Sequence, residues 1–284
     1  MYPDFPISSV CFIRGDFSWR DEYILRCRIE IGEGQTINIP TGMVIRLEDD
    51  AGFDLTGNGS IKGENYARSV IKNTNNGPAI KMGGYGPNDD KCQGCQVSDI
   101  SIEGADSGNP ISADGITITE DSEMNDVTSV RFVGLRNGIT VKGDCNTFNN
   151  LSFFQVATDL DDCIVTPGDP AAILLEDAHQ NVFTNINHTQ SIGANSIRMQ
   201  FTCTNNRILN LSVEQENSPC ADPAIHVDRG GSCKWNYFVT NFNGATYKIV
   251  TGQSIFEENN IMLPWINPST TNLTACIAPA CGNP

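Results

Sequence analysis

Ala172-Ile173-Leu174-Leu175 followed by Asn181-Val182-Phe183-Thr184-Asn185-Ile186 is the stretch on which the fold turns. The first half is a small residue, an isoleucine, any residue and an apolar residue. It recurs as Ala79-Ile80-Lys81-Met82, Gly115-Ile116-Thr117-Ile118, Gly138-Ile139-Thr140-Val141, Ser196-Ile197-Arg198-Met199 and Ala224-Ile225-His226-Val227. The second half returns as Asn146-Thr147-Phe148-Asn149-Asn150-Leu151 and Asn206-Arg207-Ile208-Leu209-Asn210-Leu211. Looser copies include Val127-Thr128-Ser129-Val130 and Asn236-Tyr237-Phe238-Val239-Thr240-Asn241-Phe242, the latter read as carrying one extra residue at a bulge. Apolar positions two apart lie on one face of a strand, so both halves read as strands.

The two patterns alternate from Ile80 to Phe242, and successive isoleucines lie 36, 23, 34, 24, 28 and 24 residues apart if Ile249 ends the series. Short units of this period stack as a solenoid. A helical repeat would show a 3.6-residue period, and a propeller blade needs roughly 40 residues. The expected fold is all-β: a right-handed, single-stranded parallel β-helix with N- and C-terminal caps and two strands per coil. Like positions then form interior columns, Ile80/Ile116/Ile139/Ile173/Ile197/Ile225 and Phe148/Phe183/Ile208/Phe238. Asp99, Ser129, Asn150, Asn185 and Asn210 form a column at the bends. They are expected to point inward as a polar ladder, which would bury the sequons at Asn150 and Asn210. Residues 1–38 lack the repeat and read as a cap or attachment segment. The solenoid is assigned to 39–258 and a C-terminal cap to 259–284.

Composition narrows the function classes. The chain has 284 residues, 39% of them hydrophobic and 18% charged, with a net charge of −16. That charge argues against nucleic acid, whose binding needs dense Lys and Arg. No run is long and apolar enough to cross a membrane as a helix, and no signal peptide stands at the start. Eleven cysteines suit an oxidising setting, in pairs read as Cys11/Cys27, Cys92/Cys95, Cys220/Cys233 and Cys276/Cys281. Zinc at Cys92-Gln93-Gly94-Cys95 lacks a second such pair.

The alternating Gly-Ile-Thr-Ile and Asn-x-Phe-x-Asn-Leu-Ser patterns resemble the pectin-lyase-like β-helix superfamily over residues 40–255. That resemblance implies pectate lyases, polygalacturonases or phage tailspikes as functional comparisons. Ser112-Ala113-Asp114-Gly115 and Asp161-Asp162-Cys163-Ile164 are similar to polygalacturonase motifs, but the expected His-Gly is absent. Counting along the first strand gives a candidate site independent of any motif. With isoleucine inward, Lys81, Thr117, Thr140, Leu174, Arg198 and His226 face out one step later. Lys142, Glu176, Gln200 and Asp228 follow two steps beyond. Glu176 and Asp228, two coils apart, are the expected catalytic carboxylates, since about 9–10 Å suits an inverting glycosidase. Arg198, Gln200, His226 and Asp177 are the expected substrate-binding residues.

The leading expectation is a tailspike-like, receptor-binding protein on a virion surface or outside the cell. It would be a homotrimer that binds, and in its enzymatic form depolymerises, a cell-surface polysaccharide. The alternatives are a secreted polysaccharide lyase or polygalacturonase-like glycoside hydrolase, and a non-catalytic adhesive β-helix. No cofactor is required. Calcium is the ion that Glu120-Asp121-Ser122-Glu123 or Asp159-Leu160-Asp161-Asp162 would suit.

Overall fold

The computed structural model describes residues 12–14, 22–83, 92–104, 113–156, 170–190, 195–215, 225–227, 232–243, 250–251 and 261–266. These residues form an all-β protein whose strands stack in parallel, coil on coil, into long curled sheets, with Phe12–Arg14 alone pairing antiparallel among the described residues, on Glu22–Leu25. One sheet of nine strands holds the isoleucine pattern, including Asp114–Ile118, Ile139–Val141, Ala171–Glu176, Asn195–Gln200 and Ile225–Val227. A wider sheet holds the asparagine pattern. The stack also takes in residues 22–39, which the repeat pattern leaves to the N-terminal segment: Glu22–Leu25 pairs in parallel with Val44–Leu47, and Thr36–Ile39 with Ser60–Gly63.

The coils up to Arg131–Val133 contribute three strands each rather than the expected two. After Asp114–Ile118 the chain runs through Asp126–Thr128 and then Arg131–Val133, with Ser129 between them in the left-handed region at φ 55°. In the next coils these two strands join as Thr147–Phe154 and Val182–Gln190, bent at Asn150 and Asn185, both at φ 55°. A left-handed residue turns the chain without a loop, so the third strand reads in sequence as a continuation of the second.

Register confirms the interior columns. Ile116 pairs with Ile80 and Ile139, Ile173 with Ile139 and Ile197, and Ile197 with Ile225. All six isoleucines are buried. Phe148 stacks on Phe183 with ring centroids 4.2 Å apart, and Phe132 on Phe153 at 4.8 Å. Burying a side chain of this size stabilises by about 1.5–3 kcal/mol, so each rung adds a similar increment.

The small residue before each isoleucine has a steric cause. A Cβ on Gly138 would lie 2.4 Å from Cε1 of Phe153 and 2.7 Å from the Ala172 carbonyl oxygen. The aromatic column therefore forbids a side chain there. Gly138→Ala is expected to destabilise the chain by about 2 kcal/mol through overpacking. Gly134→Ala has open space around its Cβ but φ +59°, so it should cost about 1 kcal/mol of backbone strain. Urea midpoints of the two variants check this, and an equal or reversed order would refute the packing argument.

The polar ladder exists, but in a different column from the expected one. Asn125, Asn146, Asn181, Asn206 and Asn236 are buried. Asn146 donates from both N and Nδ2 to Asn181 Oδ1, and Asn181 donates likewise to Asn206 Oδ1. Asn206 repeats this toward Asn236 Oδ1 at 3.0 Å for each bond. Asn150, Asn185 and Asn210 are exposed instead, bonding one another or a neighbour along the outside, as in Asn210 Nδ2 to Asn185 Oδ1 at 2.8 Å. The sequon asparagines at 150 and 210 are thus on the surface, not buried. The bulge near Thr240 is reversed as well: Leu209 and Leu211 pair with consecutive residues Val239 and Thr240, so the unmatched residue is Asn210.

Cys92 and Cys95 form a disulfide, as their spacing suggested, and Cys27 is disulfide-bonded. Cys233, expected to pair with Cys220, is not in a disulfide. Cys11, Cys220, Cys276 and Cys281 lie outside the described residues.

Candidate functional site

The outer face of the nine-stranded sheet carries an open groove of about 300 Å³ lined by Asp114, Thr117, Arg136, Asn137, Thr140, Lys142, Leu174, Glu176 and Gln200. Its floor is the outward column one step past the isoleucines: Thr117, Thr140 and Leu174 pair in register across three coils. Glu176 and Gln200 are register partners two positions further along. Lys142, in the same outward column, holds Glu176 through an ion pair of 2.7 Å between Nζ and Oε2.

The opposite end is built at the entry to the sheet. Asn137 donates to Asp114 Oδ1 from N at 3.2 Å and from Nδ2 at 2.9 Å, while its own Oδ1 accepts the Ala171 N–H at 3.0 Å. Burial lifts the Asp114 carboxyl above its ordinary range, against the lowering pull of the Asn137 bonds and the Arg136 charge. The groove thus has an acid–base pair at each end and hydroxyls between. Asp114 and Glu176 are separated by five strand positions and two coils, which puts their Cα atoms roughly 19 Å apart at normal strand spacings. That exceeds the reach of a two-carboxylate hydrolytic pair.

The residues singled out from sequence fall in several environments. Glu176 and Gln200 are brought together in the groove. Arg198 lies in register between Leu174 and His226, yet it is only 1% exposed. The expectation that it stands on an open strip is corrected: Arg198 is buried, as are Lys81, Thr140 and Leu174 of the same column, whereas Thr117 is half-buried. His226 is half-buried. Asp177 sits at φ 50° and accepts the Thr202 N–H at 2.9 Å, so it caps the turn that leaves the sheet. Asp228, Ser112 and residues 161–164 lie outside the described residues.

Among the described residues, no group of three His, Cys, Asp or Glu side chains converges on a metal position, and no helix is long and apolar enough to cross a membrane. Asp159, Asp161 and Asp162 lie outside that set. Sequence reasoning missed Arg136 and Asn137 as groove residues. Both precede the isoleucine pattern and lie outside the strand Ile139–Val141, so the strand count does not reach them. Lys142 was legible, since it shares an outward column with Glu176.

No family model and no curated protein matches the chain. Among solved structures it is similar to ORF18 of Geobacillus virus E2, at 8% identity and a TM-score of 0.33, over 82% of this chain and 54% of that one. It is also similar to the Dettilon tailspike protein, at 11% identity and a TM-score of 0.20, over 87% of this chain and 61% of the tailspike. The chain therefore spans between half and two thirds of the length of each.

Proposed function

We propose that this chain is a tailspike-like, glycan-binding β-solenoid, a right-handed β-helix acting at a virion surface or outside the cell as a homotrimer. The groove on the nine-stranded sheet is its polysaccharide site. The observation that carries this reading is the makeup of that groove. It has planar amides at Asn137 and Gln200, hydroxyls at Thr117 and Thr140, and the pairs Asp114/Arg136 and Lys142/Glu176 at its ends. Sugar hydroxyls donate and accept, and a groove offering both roles along its length matches them. Two cations balance two carboxylates there, so in a chain of net charge −16 the groove suits a neutral or weakly acidic glycan. The separation of Asp114 from Glu176 favours binding over a cut between those two groups. Hydrolysis by Glu176 with Asp228 is a second activity, to be read in the same assay.

Binding of the full chain to a panel of surface polysaccharides, with reducing-sugar release followed in parallel, tests both. Gln200→Ala and Glu176→Gln are each expected to weaken binding about tenfold, the loss of one polar contact to the ligand. Glu176→Gln should also abolish any sugar release. A panel with no binder, or binding untouched by both substitutions, would overturn the groove assignment.

A further inference from the structure

The corner leaving the nine-stranded sheet carries small buried residues, and two consecutive coils place thiols there. Cys203 and Cys233 are register partners in the parallel pair Thr202–Thr204 and Ser232–Lys234. Both are fully buried, and neither is in a disulfide. In the preceding coil the bridge between His179 and Thr204 sets Ala178 beside Cys203, so sulfur faces sulfur only across one interval. Cys203 Sγ donates to the carbonyls of Leu175 at 3.4 Å and Gln200 at 3.3 Å, and Cys233 Sγ points to the Phe201 carbonyl at 3.8 Å. The thiols therefore sit directly behind the Gln200 end of the groove.

We propose that Cys203 and Cys233 form an inter-coil disulfide when the chain folds in an oxidising medium. Paired parallel strands run about 4.8 Å apart, inside the Cα window of roughly 4.4–6.8 Å that a disulfide spans. With glutathione disulfide as oxidant, one cysteine thiolate attacks a glutathione sulfur and expels a glutathione thiolate. The second cysteine thiolate then attacks the mixed disulfide and expels the other glutathione. Two protein thiols are oxidised, one small disulfide is reduced, and the two protons end on the two glutathione thiolates. In the closed coil, the contact with Cys233 and burial raise the Cys203 thiol far above its ordinary value, which leaves almost no thiolate. The exchange thus belongs to folding, before the coil closes. Afterwards the pair is shielded from oxidant and reductant alike and keeps the redox state in which it folded. This inference does not depend on what the groove binds.

The full chain is unfolded with reductant, refolded in oxidised or in reduced glutathione buffer, blocked, digested and mapped by mass spectrometry. Oxidising refolding should join the Cys203 and Cys233 peptides with loss of two hydrogens. After reducing refolding both should alkylate only on denaturation, whereas exposed Cys145 alkylates in the native chain. Dithiothreitol added to the folded oxidised chain should leave the pair intact. The same mapping on chain secreted through an oxidising compartment, never unfolded, covers a poor refolding yield. Recovery of Cys233 joined to Cys220, or of both thiols free after oxidising folding, overturns the proposal. Rapid reduction in the native state would overturn the shielding.

Discussion

Asn206→Ala should lower the stability of the chain by about 3–5 kcal/mol, the largest effect expected of any single polar substitution here. Asn206 Oδ1 accepts from both N and Nδ2 of Asn181, and its Nδ2 donates to Asn236 Oδ1 and to the Ala178 carbonyl. Alanine removes all four bonds from a site with no solvent access, and the buried Asn181 N–H and Ala178 carbonyl lose partners that water cannot replace. The informative control lies four residues on. Asn210 is exposed at φ 59°, a conformation glycine adopts freely, so Asn210→Gly should cost well under about 1 kcal/mol. Urea unfolding followed by circular dichroism measures both. Equal midpoints for the two variants would remove the ladder from the account of stability.

The second large effect is acid lability set by one imidazole. His188 occupies an interior column, in register between Phe153 and Val213, where the other side chains are apolar. It is fully buried, with Nδ1 2.7 Å from Ser196 Oγ and its ring edge-on to Phe153 at 6.2 Å. Burial, only partly opposed by the Val156 backbone, lowers its pKa to about 4 from an ordinary 6.5. The native state therefore resists protonation that the unfolded chain accepts. No penalty exists above about pH 7. As pH falls through 6.5 the unfolded state gains a proton the folded state refuses, and the loss grows until about pH 4, where the folded state protonates too. The accumulated loss is about 3 kcal/mol. His188→Phe, which copies Phe153 of the preceding coil, should remove this share of the acid destabilisation. The wild-type minus variant difference in unfolding free energy, measured from pH 7.5 to 4, should fall steadily toward acid. A flat difference would refute the assignment.

The interior of the solenoid was legible in the sequence because alternation with period two is a local property that stacking then repeats. Ile116, Ile139 and Ile173 declare their face without reference to anything distant. Asparagine was not legible in the same way. Phe148 and Asn150 are two apart and by alternation share a face, but the left-handed backbone at Asn150 reverses the parity. Leu151 goes inward in its place. A one-residue bend leaves no gap in the pattern, and for the same reason the third strand of the coils up to Arg131–Val133 went uncounted. At the groove, alternation correctly put Lys142, Glu176 and Gln200 on one side. It could not show that Arg198 is covered, since burial of an outward column depends on what packs over it. Nor could it place Arg136 and Asn137, which enter the groove ahead of the strand Ile139–Val141, outside any alternating run.

The buried ladder also settles a matter that alternation leaves open. Along the nine-stranded sheet, sliding one coil by two residues would set Ile139 against Leu175 and keep every apolar side chain inside, at little loss of contact. Only a mark that occurs once per coil can detect such a slip. Asn146, Asn181, Asn206 and Asn236 are that mark, because each amide closes its bonds with a single rung on either side. The row of amides thus works as an index pin, seating each new coil at one offset as it winds onto the last.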